Sequence, residues 1–171
     1  AVSVVALSAS VAIAAILLVS ADSQGPLVVW IGGWPEPLGI SLVADRLSAL
    51  MLLVSATVTL AVLVYSIGQG VADGTRDTPL SIYHPTYLVL SAGVANAFLA
   101  GDLFNLFVGF EVLLAASYVL MTLTGTGERI RAGTTYVVVS VLSSLLFLTA
   151  IALVYAAMGT VNLAQLSGRL A

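Results

Sequence analysis

The sequence contains no cysteine and no lysine, and only 8% of its 171 residues are charged. Without cysteine the chain can form no disulfide, thiol nucleophile or cysteine-ligated metal site, and without lysine it can form neither a Schiff base nor a P-loop. Its five basic residues are all arginines, and the formal net charge is −3. Scattered arginines form no basic stripe, which excludes nucleic-acid binding. We expect no cofactor and no metal in this chain.

Hydrophobic residues make up 60% of the chain, and its mean hydropathy is +1.15. A water-soluble globule of this length would need far more polar surface, so the chain is an integral membrane protein. No basic stretch precedes the first apolar run, which argues against a cleaved signal peptide. We predict an all-α membrane fold of about five transmembrane helices, a single domain that is part of a larger bundle. The predicted spans are Ala1–Ser20, Leu47–Ile67, His84–Ala100, Leu103–Leu123 and Tyr136–Met158.

Three polar segments separate these spans. The first, Asp22–Ile40, is rich in glycine and proline around a short apolar run, which predicts a strand or hairpin outside the bilayer. The other two, Gly68–Tyr83 and Thr124–Arg131, are predicted loops. Counting arginines on alternate sides weakly favours a cytoplasmic position for these two loops.

One acidic residue, Glu111, lies inside the otherwise uncharged span Leu103–Leu123. Because an ionised acid at a helix centre costs roughly 2.5–3.5 kcal/mol on insertion scales, we expect Glu111 to face protein or water and to exchange a proton. Ala115, Tyr118 and Thr122 share its face at helical spacing, which indicates a hydrated groove. The alternative is that Glu111 only joins two helices through a hydrogen bond or an ion pair.

Asp102 lies where the fourth helix begins. It is predicted to cap that helix by accepting from the N–H groups of Phe104 or Asn105. A position at the mouth of a proton path is the alternative, and Asn105 could serve either purpose.

Ser140, Ser143 and Ser144 are predicted to lie on one face of the fifth helix, together with Phe147. Such serines commonly bond their own backbone or a neighbouring helix. Lining a water-filled path is the alternative for all three.

The third span carries two further signals. Gly93, Ala97 and Gly101 follow one another at four-residue spacing, a pattern of small residues that lets helix backbones pack closely. Asn96 is predicted to bond a neighbouring helix. His84, just before a proline at the helix entrance, either exchanges protons with water or is only a turn residue.

The segment GDLFNLFVGFEVLLAASYVL, Gly101–Leu120, closely resembles the signature of the D-type subunit of Mrp multisubunit Na⁺/H⁺ antiporters, which are related to the antiporter-like subunits of respiratory complex I. The likeness extends over nearly the whole chain. It implies a helical proton channel in which a glutamate, here Glu111, pairs with a lysine beyond this chain. It also implies that the five spans match helices two to six of a longer subunit. Thr134-Thr135 departs from the pattern, since family members often have a basic residue there.

The resemblance implies a proton-translocating subunit of a monovalent cation/proton antiporter, a transporter component and not an enzyme. Such a subunit is multi-pass in the bacterial plasma membrane, and its partners are other antiporter subunits, lipid, protons and Na⁺, or Li⁺ or K⁺. One alternative is an antiporter-like subunit of NADH:quinone oxidoreductase or of a membrane-bound hydrogenase, with the redox cofactors in partner subunits. Another is a structural assembly subunit whose helices only pack.

Overall fold

The computed structural model describes residues 2–34, 39–69, 80–123, 125 and 127–170. Within these ranges a two-stranded hairpin interrupts a series of helices. The hairpin consists of β1 (Leu27–Trp30) and β2 (Ser41–Ala44), with one 3₁₀ turn at Ile31–Gly33. The helices are α1 (Val2–Gln24), α2 (Arg46–Gly68), α3 (Leu80–Leu99), α4 (Leu103–Thr122), α5 (Gly127–Met158) and α6 (Leu163–Leu170).

The all-helical membrane fold is confirmed. In the described ranges, four helices are long and apolar enough to cross a bilayer, namely α1, α2, α4 and α5. The fifth long helix, α3, has 20 residues, among them His84 and Asn96, and is not one of these four. Consecutive helices pack against one another from α1 through α5, so α4 lies between α3 and α5.

Two helices begin earlier than predicted. Helix α5 starts at Gly127, nine residues before Tyr136, and so takes up much of the predicted loop Thr124–Arg131. The added segment contains no proline, and Glu128 in its first turn interacts favourably with the helix dipole.

Helix α3 starts at Leu80 with Pro85 inside it. Since Pro85 lies close to the helix N-terminus, it removes only one early backbone hydrogen bond. Residues 70–79 of the other predicted loop lie outside the described ranges.

The predicted hairpin is confirmed between α1 and α2. Strand β1 pairs with β2 in antiparallel register, with Leu27 opposite Ala44 and Trp30 opposite Ser41. The Ser41 carbonyl accepts a hydrogen bond of 2.9 Å from the Gly101 N–H group, which ties β2 to the turn between α3 and α4. The hairpin therefore lies at the end of the bundle where α4 begins.

Helices α3 and α4 approach with their backbones in contact. A Cβ atom added at Gly93 would lie 2.9 Å from the Leu113 nitrogen, and one added at Gly109 would lie 3.0 Å from the Ala97 nitrogen. Gly93 and Ala97 thus face α4, as the small-residue pattern predicts. Gly101 lies beyond the end of α3 and packs against Ser41 of β2 instead, because the helix ends at Leu99.

We predict that Gly93→Ala destabilises the subunit by about 1–3 kcal/mol, since the added methyl group meets backbone that cannot move alone. The measurement is thermal unfolding of the full-length subunit in detergent. Gly68→Ala is the matched control, because a Cβ atom there has no neighbour within 4 Å. Equal unfolding temperatures for the two variants would contradict the close contact.

Candidate functional site

Glu111 lies near the middle of α4 and points toward α5. The Ser144 hydroxyl of α5 donates a hydrogen bond to Glu111 Oε1. Ser144 is only 8% exposed, and Glu111 is half-buried. The acid therefore faces a protein neighbour, and its second carboxyl oxygen is left for other partners.

A cavity of about 310 Å³ adjoins Glu111 in the groove between α4 and α5. Its walls combine apolar side chains with a carboxyl, a serine hydroxyl and two phenol groups. Since a water molecule occupies about 30 Å³ in the liquid and needs two to four polar partners, this space can hold several waters. The lining residues are Glu111, Leu114, Ala115, Tyr118, Tyr136, Val137, Ser140 and Val141.

The pairing of α4 with α5 depends on a close contact at the other end of the cavity. A Cβ atom added at Gly133 of α5 would collide with the Thr122 methyl group and lie 3.2 Å from the Tyr118 ring. The Thr122 hydroxyl donates to the Tyr118 carbonyl at 2.9 Å. Thr122 therefore packs the helices and does not line the cavity, unlike Ala115 and Tyr118.

Two of the three predicted serines face the cavity side of α5, and the third does not. Ser140 lines the cavity and Ser144 contacts Glu111, since four residues bring a helix back to the same face. Ser143 is exposed and donates to the Val139 carbonyl at 2.9 Å. The expectation that all three share one face is corrected for Ser143, which is rotated by about 100° from Ser144.

Asp102 is a buried helix cap, as its position predicts. Its Oδ1 accepts from the Asn105 N–H group at 2.7 Å, and its Oδ2 accepts from the Ser41 N–H group at 3.3 Å. The side chains of Asn105 and Asn96 exchange two hydrogen bonds of 3.2 Å between α4 and α3. These polar groups are thus engaged in holding the end of α4, away from the Glu111 cavity.

His84 does not line the Glu111 cavity. Its ring contacts Tyr83 edge to face, with 5.4 Å between the ring centroids. Its Nδ1 atom is buried and has no hydrogen-bond partner among the described residues. A role of His84 in proton exchange stays a prediction.

One polar lining residue was missed by sequence reasoning. Tyr136 places its side chain at the cavity, although its position marked only the expected start of the fifth helix. The spacing Tyr136, Ser140, Ser144 is the helical repeat of one face, and this repeat could have identified it.

Comparison with known proteins agrees with this architecture. A family model described as "NADH:quinone oxidoreductase/Mrp antiporter, TM" matches residues 100–170. A second, described as "NADH-Ubiquinone oxidoreductase (complex I), chain 5 N-terminus", matches residues 30–68. Both matches fall on membrane helices and the segments next to them.

Two relatives are antiporter subunits by name. A probable D-type subunit of a K⁺/H⁺ antiporter from Rhizobium meliloti is 46% identical over 148 residues, covering 86% of this chain and 26% of the relative. A putative antiporter subunit mnhD2 of Staphylococcus haemolyticus is 38% identical over 165 residues, covering 96% of this chain and 32% of the relative. The chain therefore spans about a quarter to a third of their length.

Two solved structures share the fold. The Mrp complex of a Dietzia species contains a chain with a TM-score of 0.85 and 34% identity, matched over 96% of this chain and 30% of that one. The membrane-bound sulfane sulfur reductase, an archaeal respiratory membrane complex, contains a chain with a TM-score of 0.84 and 32% identity. The match covers 94% of this chain and 32% of that one.

The helical membrane fold and these matches together show similarity to multi-pass membrane subunits of the antiporter-like class. The chain is homologous to membrane subunits of the NADH:quinone oxidoreductase/Mrp antiporter type, whose family models match residues 30–68 and 100–170, and its named relatives are antiporter subunits. The resemblance to the D-type Mrp subunit and the multi-pass membrane location that the sequence indicates are confirmed.

We predict that Ser144→Ala lowers the free energy of unfolding of the full-length subunit by about 1 kcal/mol, because the partly buried Glu111 loses its donor. Denaturant unfolding in micelles measures this difference. Ser143→Ala removes a hydroxyl that bonds only its own helix and should have little effect. Equal losses for the two variants would contradict the contact between Ser144 and Glu111.

Proposed function

We propose that this chain belongs to a proton-translocating subunit of a multisubunit monovalent cation/proton antiporter, with Glu111 as the proton carrier. The observation that carries the proposal is an acid inside an apolar span that accepts a hydrogen bond from Ser144 and opens onto a cavity able to hold water. An acid that served only to join helices would not need this space.

In the proposed mechanism, a proton from the aqueous phase is relayed through water in the cavity, each water accepting one proton as it donates another, to the Glu111 oxygen that Ser144 does not occupy. Surroundings without water favour the neutral, protonated form of Glu111, whereas a nearby positive charge favours its carboxylate form. Arrival of a cation, or approach of the lysine that the family resemblance implies, would release the proton to water. Ser144 would keep the carboxyl group in one orientation through both states.

The other subunits of such a complex are proposed partners, because this chain spans only part of its relatives. The resemblance to Mrp antiporters favours Na⁺ as the exchanged cation, and the name of the Rhizobium relative makes K⁺ an equal candidate. We place the complex in the bacterial plasma membrane. The loop before α5 is proposed to be cytoplasmic, since Arg129 and Arg131 lie just within that helix.

A redox-driven proton pump is the second candidate. The similarity to a chain of the archaeal sulfane sulfur reductase supports it. In that case partner subunits would hold the redox cofactors, and the purified complex would show reductase, quinone or hydrogenase activity. Cation-driven proton exchange without such activity favours the antiporter.

The test is Glu111→Gln in the full-length subunit, assembled in its complex and studied in membrane vesicles. We expect cation-driven proton exchange to fall by about two orders of magnitude, as for loss of a positioned proton-transfer group. Glutamine keeps the shape and can accept from Ser144, but it cannot carry a proton.

Glu128→Gln is the matched control, because it neutralises an exposed acid in the first turn of α5. Exchange should stay near the native rate. Native exchange in Glu111→Gln would rule out the carrier role and would favour the purely structural assembly subunit.

A further inference from the structure

Three phenylalanine rings pack together next to Glu111. The Phe147 ring of α5 meets Phe107 of α4 with 5.9 Å between centroids and a 68° angle between the ring planes. It meets Phe110, also on α4, at 6.3 Å and 89°. Both are edge-to-face arrangements, the geometry that aromatic pairs prefer. Phe147 is therefore held between two rings of the neighbouring helix.

This aromatic layer lies on one side of Glu111, and the cavity lies on the other. The α4 residues that line the cavity all follow Glu111, and the α5 residues that line it all precede Ser144. Because α4 and α5 run antiparallel, both sets lie toward the turn between these helices. The phenylalanines of α4 precede Glu111, and Phe147 follows Ser144.

A second cavity begins beyond the aromatic layer. It has a volume of about 350 Å³ and is lined by Asp102 and Phe104 at the start of α4 and by Leu148 and Ala152 on α5, among others. The groove between α4 and α5 thus holds two separate spaces. Along both helices, the three phenylalanines lie between the residues that line the first space and those that line the second.

The three rings carry no hydrogen-bond donor or acceptor, and the described polar side chains near them use their donors within the protein. The nearby hydroxyls of Ser143 and Thr149 donate to carbonyls of their own helix. The Asn105 amide is paired with Asn96 on α3, and Ser144 is engaged by Glu111. A chain of hydrogen-bonded water needs such partners, so it stops at the rings.

We propose that Phe107, Phe110 and Phe147 form an apolar seal that restricts proton exchange of Glu111 to the cavity facing the α4–α5 turn. This inference rests on the proposed carrier role of Glu111. The seal prevents a proton on Glu111 from passing directly to the cavity on the Asp102 side. Proton movement across the membrane then requires the remainder of the subunit and remains coupled to the cation.

The first test is Phe147→Ala in the full-length subunit, assembled in its complex and reconstituted in liposomes. A pH gradient is imposed without the transported cation. The native complex should hold the gradient, and Phe147→Ala should dissipate it severalfold faster, because removal of the central ring joins the two cavities. Phe147→Leu, which keeps an apolar side chain, should stay near the native rate.

Phe104→Ala is the matched control. It also removes a phenyl ring from α4, but that ring lines the second cavity, is 47% exposed and touches only the edge of the layer, with 6.4 Å between the centroids of Phe104 and Phe107. Its loss should cause no leak. An intact gradient in Phe147→Ala, or equal leaks in the Phe147→Ala and Phe104→Ala variants, would overturn the seal. The carrier role would still stand if Glu111→Gln abolished cation-driven exchange.

The second test maps access and does not depend on transport rates. Since this chain has no cysteine, only cysteines elsewhere in the subunit must be replaced before single cysteines are introduced. A charged thiol reagent should label Ser140→Cys from the side of the α4–α5 turn only, and Ala152→Cys from the opposite side only. Labelling of both positions from the same side would overturn the proposal, even if Phe147→Ala failed to assemble.

Discussion

The structure of this chain depends on how a carboxyl group is kept inside an apolar helix. Transfer of an acid into hydrocarbon is costly, so it needs a hydrogen-bond donor, water or both. Ser144 supplies the donor from α5, and the groove beside it supplies space for water. Because Ser144 lies on the helix that forms the opposite wall, the hydrogen bond also sets how α4 and α5 face each other.

Close packing on the other side of α4 fixes the position of the helix that carries Glu111. Gly93 and Gly109 bring α3 and α4 into backbone contact. The paired amide side chains of Asn96 and Asn105 fix the position of one helix along the axis of the other. Asp102 caps α4 and joins its start to the hairpin. Since these contacts hold α4 against both α3 and the hairpin, they fix the position of the helix that carries Glu111.

Much of this arrangement could be predicted from the sequence, since charge, small residues and turn residues have strong local consequences. The acid in α4, the cap at Asp102 and the hairpin follow from single residues and their neighbours. Which of the neighbouring serines Ser143 and Ser144 faces Glu111 could not be predicted. It depends on the rotation of α5 about its axis, to which the distant contact of Gly133 with Tyr118 contributes. No pattern in the sequence predicted the aromatic layer, because phenylalanines in spanning helices usually face lipid.

The most direct test of the central claim is infrared difference spectroscopy of the complex at constant pH, recorded on addition of the transported cation. If Glu111 carries the proton, a band of a protonated carboxyl group disappears when the cation is added, and Glu111→Gln lacks this band. A protonated-carboxyl signal that does not respond to the cation, or that persists in the variant, would contradict the account.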